Sequence, residues 1–245
     1  MVQHIGIVAC SAEGAALCYR TLCLEGAQRL GPHGHPEITM HTHPFALYMQ
    51  RIGHADWQGV GELMLASAHK LAAAGADFLI CPDNTIHQAL AGVEARSPLP
   101  WLHIAEVVSA HAAERGFRCL GLTGTQWLVQ SEVYPASLAA RGLACVRPDA
   151  ADAAEVGRII MDELVVGVVE PESLARLQRI ISRMKARGCD AVVLGCTELP
   201  LLVNDATSAL PTLDSTRLLA RAALHRAVHG ATHAAASWAP SSAAC

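Results

Sequence analysis

Two residues at matching places in a weak internal repeat could pass a proton between them. Lys70 to Thr85 reads KLAAAGADFLICPDNT, and Arg183 to Glu198 reads RMKARGCDAVVLGCTE. Gly75 aligns with Gly188 and Asp77 with Asp190 at one constant spacing, which sets Asp83 on Cys196 and Asn84 on Thr197. A thiol and a carboxylate at two related strand ends are the parts needed to draw a proton from one face of a small molecule and return it to the other. Each residue also has a plainer reading. Free cysteine is commonly a small core residue, and aspartate after a strand is a favoured turn or helix cap. The repeat favours chemistry, because a cap needs no counterpart in the other segment.

The neighbours of these two residues extend the argument. Gly195 lets the backbone approach closely, and the residues after Cys196 are expected to open a helix. Its N-terminus would lower the thiol pKa and offer N–H groups to a substrate carboxylate. Asp83 is a weak base at its ordinary pKa of about 3.9, but desolvation and a nearby thiolate would raise it, and the two groups would titrate as a coupled pair. Enolate charge would rest on backbone N–H groups and on Asn84, Thr85, Thr125 and Thr197. Glu198 suits either a substrate ammonium or a first helical turn, and Arg51 could pair a distal substrate carboxylate. Cys81 shares a strand face with Asp83 and is read as core. His33, His35, His41 and His43 are read as a wall or loop of the site rather than a metal centre, and His87 and His103 as structural. No metal is expected. Gly6 to Gly14 has neither phosphate-loop spacing, so no nucleotide is expected.

Behind these residues, short apolar runs alternate with helical patterns, as in parallel α/β proteins. Ile5 to Ala9, Phe78 to Cys81, Cys119 to Thr123 and Ala191 to Leu194 are the clearest strands. Leu174, Leu177, Ile180, Ile181 and Met184 follow Pro171 at helical spacing, with Gly188 as the stop. Gly6 to Cys10 also resembles Gly121 to Thr125, so duplication is the simplest account. The expected fold is α/β: two pseudo-symmetric three-layer α/β/α halves with mainly parallel sheets, and the active site in the cleft between them. Residues 1–107 with 208–230 would form the first half and 108–207 the second, with 231–245 a flexible tail.

Composition narrows the class. The 245 residues are 52% hydrophobic and 16% charged, with a formal net charge of -4. No basic field invites nucleic acid or a membrane surface. No signal peptide or spanning run is read, so the cytoplasm is the expected compartment. Nine cysteines form no CxxC pair, which favours reduced thiols. A homodimer is the expected assembly.

The segments CPDNTIH and VVLGCTELPLLV closely resemble the two signature strand ends of the aspartate/glutamate racemase superfamily. The resemblance extends to Gly6 to Ser11, Leu99 to Glu106, Gly124-Thr125, and Leu210-Pro211 with Asp214, covering most of residues 4–225. It implies an amino acid racemase or epimerase that uses no pyridoxal phosphate or other cofactor, with acidic amino acids among the candidate substrates. It also implies a substrate-binding role for Ser11. The family's pattern is a pair of facing cysteines; here Cys196 keeps the second place and Asp83 takes the first. Similar racemases with a non-cysteine first position exist, as do single-cysteine decarboxylases. Two alternatives therefore stand beside the racemase: a decarboxylase or cis/trans isomerase of a small dicarboxylate using Cys196 alone, and a non-catalytic small-molecule binder.

Overall fold

Strand β1 (Ile5–Ala9) is buried along its whole length, as a parallel strand covered on both faces must be. It leads into α1 (Ala12–Leu30), β2 (Ile38–Thr42), α2 (Phe45–Gly53), α3 (Trp57–Ala73), β3 (Phe78–Ile80), α4 (Leu90–Glu94), β4 (Trp101–Leu102) and α5 (Ile104–Glu114). The second series is β5 (Cys119–Thr123), α6 (Gln126–Val129), α7 (Val133–Ala139), β6 (Ala144–Val146), α8 (Ala150–Arg158), α9 (Pro171–Ala186), β7 (Ala191–Leu194), β8 (Thr212–Asp214) and α10 (Ser215–His229). This computed structural model describes residues 1–230; the expected tail, 231–245, lies outside the described residues.

The strands form two four-stranded sheets with orders β2-β1-β3-β4 and β6-β5-β7-β8. Every pairing is parallel. The two orders correspond strand for strand, as expected from the internal repeat. The repeated aspartates have one structural job in both halves. Asp77 accepts from the His4 N–H at 2.7 Å, and Asp190 accepts from the N–H groups of Arg118 and Cys119 at 2.7 and 3.1 Å. Each carboxylate thereby ties the start of its half's first strand to the strand that follows it in the sheet. The matching glycines leave room for their neighbours, Gly6 for Leu79 of the adjoining β3 and Leu71 of α3, and Gly121 for α9. A Cβ on Gly6 would lie 2.6 Å from Leu79 and 3.3 Å from Leu71, and one on Gly121 would lie 2.6 Å from the Met184 sulfur.

Each sheet is covered on both faces. Residues of α2 and α3 pack on one face of the first sheet, and those of α1 and α10 on the other. Residues of α8 and α9 cover one face of the second sheet, and those of α5 and α7 the other. α9 starts with Pro171 and buries Leu177, Ile180, Ile181 and Met184, the stripe expected from its spacing. The last helix of each series crosses over: α5 follows β4 of the first sheet yet packs on the second, and α10 follows β8 of the second yet packs on the first. The sequence-based boundary at 208 thus falls before β8, which stays in the second sheet; the chain crosses back between Asp214 and Ser215. Among the described residues no helix is long and apolar enough to cross a membrane.

Candidate active site

The loops that leave the carboxyl ends of β1, β3, β5 and β7 converge on a pocket of about 470 Å³, part of it open to solvent. This is where an open parallel sheet presents its ligand site. Asp83, Asn84 and Thr85 enter it from the first half, and Gly195, Cys196, Thr197 and Glu198 from the second. Ser11 and Thr125 complete the polar lining.

Cys196 directly follows the close-packed Gly195, where a Cβ would come within 2.5 Å of the Thr123 carbonyl oxygen. The expected helix after it does not form. Only a short 3-10 turn, Leu199–Leu201, follows, with Pro200 inside it, so the thiol has no helix N-terminus to lower its pKa. It donates instead to Glu198 Oε2 at 2.9 Å, and the Thr197 hydroxyl donates to the same oxygen at 2.8 Å. Burial, followed by the charge and hydrogen bond of Glu198, holds the thiol well above its usual range. Cys196 is therefore a protonated thiol whose partner is a buried carboxylate.

Asp83 keeps both readings expected of it. Its Oδ1 accepts from the Ile86 N–H at 3.1 Å, in the first turn of the 3-10 segment Thr85–Ala89. The carboxyl group also lines the pocket. Burial raises its pKa and Glu198 adds to the rise, against the Ile86 N–H and a hydrogen bond from the Cys10 thiol. Cys10 is a partner the sequence reading passed over, although the repeat aligns it with Thr125. Burial raises its own pKa, and the adjoining Asp83 charge pushes the same way, so it serves as a neutral donor.

Three links hold the two halves' loops in register. Ser11 Oγ and Thr197 Oγ1 lie 3.2 Å apart, and Thr85 Oγ1 and Thr125 Oγ1 lie 3.1 Å apart. Each pairs a residue after one half's first strand with one in the loop beyond the other half's β3 or β7. The third link uses Asn84, which is only 2% exposed. Its Oδ1 accepts from the Tyr134 hydroxyl at 2.7 Å, and its Nδ2 donates to Ser215 Oγ at 2.9 Å, which donates on to the Leu194 carbonyl. The amide expected to touch the substrate is thus committed to a strut, and Asn84 positions Asp83 and Thr85 beside it.

Other expectations change as well. Arg51 does not line the pocket: it sits in the last turn of α2, about half exposed, and pairs with Asp56 at 2.7 Å. The lining from α2 is Phe45, Met49 and Ile52, and Trp127, Ile160, Met161 and Val165 complete an apolar wall. The last three come from a π-helical turn, Ile159–Glu163, and the 3-10 turn Leu164–Val166 behind it. Single-turn π segments often occur at functional sites. Only its α2 part, Phe45, Met49 and Ile52, lies at helical spacing; the rest comes from three further elements, so no single period marks the whole wall. Cys81 is fully buried core. His87 is buried and satisfied by the Asp83 carbonyl and the Ile104 N–H; burial, then His103, lowers its pKa to about 3. His41 bonds Ser67 and Lys70 rather than lining the pocket. Among the described residues no group of three or more His, Cys, Asp or Glu side chains could hold a metal ion.

Comparisons with known proteins agree with the fold. The family model described as Asp/Glu/Hydantoin racemase matches residues 7–223. The broad specificity amino-acid racemase RacX of Bacillus subtilis is 23% identical over 191 residues, 76% of this chain and 80% of that protein. A solved structure described as a putative Asp/Glu racemase from Yersinia pestis is 30% identical, with a TM-score of 0.85 over 93% of this chain and 100% of that one. An aspartate racemase homologue from Pyrococcus horikoshii is 26% identical, with a TM-score of 0.81 over 94% and 100% of the two chains.

Proposed function

The chain belongs to the Asp/Glu/hydantoin racemase family and is an isomerase of the amino-acid racemase kind, and we propose that it inverts Cα by moving a proton between Asp83 and Cys196. The observation that carries this reading is their placement: the residues after β3 and β7, equivalent strands of the two halves, line one pocket. The pKa directions support these roles. Cys196 is the thiol acid, and Asp83, whose carboxylate burial makes more basic, acts from its ionised form as the base.

The substrate ammonium sits against Glu198, both of whose hydrogen bonds use Oε2, leaving Oε1 for the cation. Asp83 takes the α-proton from one face and becomes a carboxylic acid. The electron pair moves into the substrate carboxylate, whose oxygens are met by loop N–H groups and by the one hydroxyl of the Thr85–Thr125 pair whose proton the pair leaves free, while Thr197 donates to Glu198 and Ser11 to Thr197. The Cys196 thiol then gives its proton to the opposite face of Cα and becomes a thiolate. Exchange with water at the pocket mouth restores both groups, and the reverse direction starts from the thiolate and the protonated Asp83. The residues need no cofactor for these steps. The protein is also read as a cytoplasmic homodimer: the described cysteines are all free, as a reducing compartment keeps them, and twofold assembly is the commonest for soluble enzymes.

The test is incubation of the purified protein with single L- and D-amino acids in deuterium oxide, following loss of the α-proton signal together with chiral analysis. Wild-type protein is expected to exchange and invert, and Cys196→Ala and Asp83→Asn to lose inversion. Undiminished inversion in Asp83→Asn would remove Asp83 from the mechanism. Carbon dioxide release from a malonate would favour the decarboxylase, and saturable binding without turnover would favour the binder.

A further inference from the structure

The part of the pocket that proton transfer does not use has an informative composition. Phe45, Met49 and Ile52 on α2, Trp127 on α6, and Met161 and Val165 from the π turn and the turn after it form one apolar wall. The charged side chains in the lining are Asp83 and Glu198, both acidic; no lysine, arginine or histidine lines the pocket among the described residues. The cations at its flanks are committed elsewhere. Arg51 is bound to Asp56, and Arg158, which precedes the π turn, is held by Glu155 and Glu163.

A substrate with a second carboxylate would bring another negative charge beside Asp83 and Glu198, without a side-chain cation to pair it. Both like-charge repulsion and unpaired desolvation oppose that arrangement. An uncharged apolar side chain would instead leave water for a wall of matching character, while the two acids receive the α-ammonium and the α-proton. We infer that this enzyme is selective for amino acids with uncharged, apolar side chains of medium size, such as leucine or methionine, over aspartate and glutamate. The inference rests on the racemase reading and adds the substrate class to it. Met49 and Met161 are the residues that set this preference, as flexible side chains able to fit side chains of several shapes.

The experiment compares kcat/KM of the full chain for L-leucine, L-methionine, L-aspartate and L-glutamate by α-deuterium exchange with chiral analysis, alongside isothermal calorimetry of the same amino acids. Leucine or methionine is expected to exceed both acidic substrates by about tenfold or more, the range one pocket contact commands. Met161→Arg, and Met49→Arg should the first fail to fold, is expected to move the glutamate-to-leucine ratio towards glutamate by about tenfold. A wild-type preference for aspartate or glutamate would overturn the inference and leave the racemase reading intact. A folded arginine variant with an unchanged ratio would also overturn it. If no amino acid is turned over, calorimetry decides: tighter binding of leucine than of glutamate supports the inference while the racemase reading fails, and the absence of that preference ends both.

Discussion

Replacing Glu198 with glutamine isolates the electrostatic partner of the proposed thiol acid. The Cys196 thiol donates to Glu198 Oε2 at 2.9 Å inside a buried pocket, and glutamine keeps an acceptor oxygen while removing the charge. A hydrogen bond to a charged group contributes about 1.5–3 kcal/mol and a neutral one about 0.5–1.5 kcal/mol, so the change removes about 1–1.5 kcal/mol that favours the protonated thiol. That is roughly tenfold in the ionisation equilibrium. The thiolate fraction at a fixed pH below the titration therefore rises about tenfold. Intrinsic nucleophilicity falls with basicity by about the square root of that factor, leaving a net gain of about threefold in alkylation rate. The assay is iodoacetamide labelling followed by peptide mass spectrometry, which reads Cys196 separately from the other cysteines. Labelling unchanged or slower in Glu198→Gln would refute the reasoning, since it would mean that the carboxylate does not hold the proton on sulfur.

Two other substitutions test the energetics of the site. Asp83 has its carboxyl raised by burial in the folded protein, so its protonated form is favoured by folding; that stability is present below about pH 3.9, the unfolded value, and is lost as pH rises through the folded pKa. Asp83→Asn is therefore expected to raise Tm at pH 7 while inversion is lost, on a scale of about 2–4 °C per kcal/mol, and a lower Tm by calorimetry would count against burial as the dominant cause. Gly195→Ala places a Cβ 2.5 Å from the Thr123 carbonyl oxygen and 2.6 Å from Leu128; a loss of about 1–3 kcal/mol in urea unfolding is expected, with Cys196 displaced and inversion reduced, and unchanged unfolding would show that the loop relaxes freely.

The two halves were legible because duplication repeats the residues that every such unit needs. Gly75 with Asp77 and Gly188 with Asp190 mark the same helix-to-strand joint twice, and the structure gives the aspartates the same anchoring bonds. The central strands were visible as apolar runs. The edge strands were not: β4 has two residues, and β2 is half exposed with Thr39, His41 and Thr42 in it, so neither shows a period. Asp83 and Cys196 could be named from their positions, but their surroundings could not. A reading of the local sequence offers Cys196 a helix, whereas the tertiary structure supplies Glu198. It offers Asn84 and Arg51 to the substrate, whereas Tyr134 and Ser215 occupy the first and Asp56 the second. Only the Asn84 partners are distant in sequence; Glu198 and Asp56 lie two and five residues from the groups they hold, and it is the backbone path between them, which spacing alone does not encode, that brings them together.

The crossing of α5 and α10 bears on the history of the chain as well as its architecture. Each half covers one face of its sheet with a helix that follows the other half's last strand. A single half, released by itself, would carry its final helix undocked and keep only α1 or α7 on that face of its sheet. Two copies would close by lending each other that helix, in the manner of a domain-swapped pair. The present polypeptide is the covalent form of such a handshake, with α5 reaching one way and α10 reaching back. Cutting it between the halves would not yield two independent domains, and peeling either helix away would leave one face of a sheet half covered, so the halves are built to melt together.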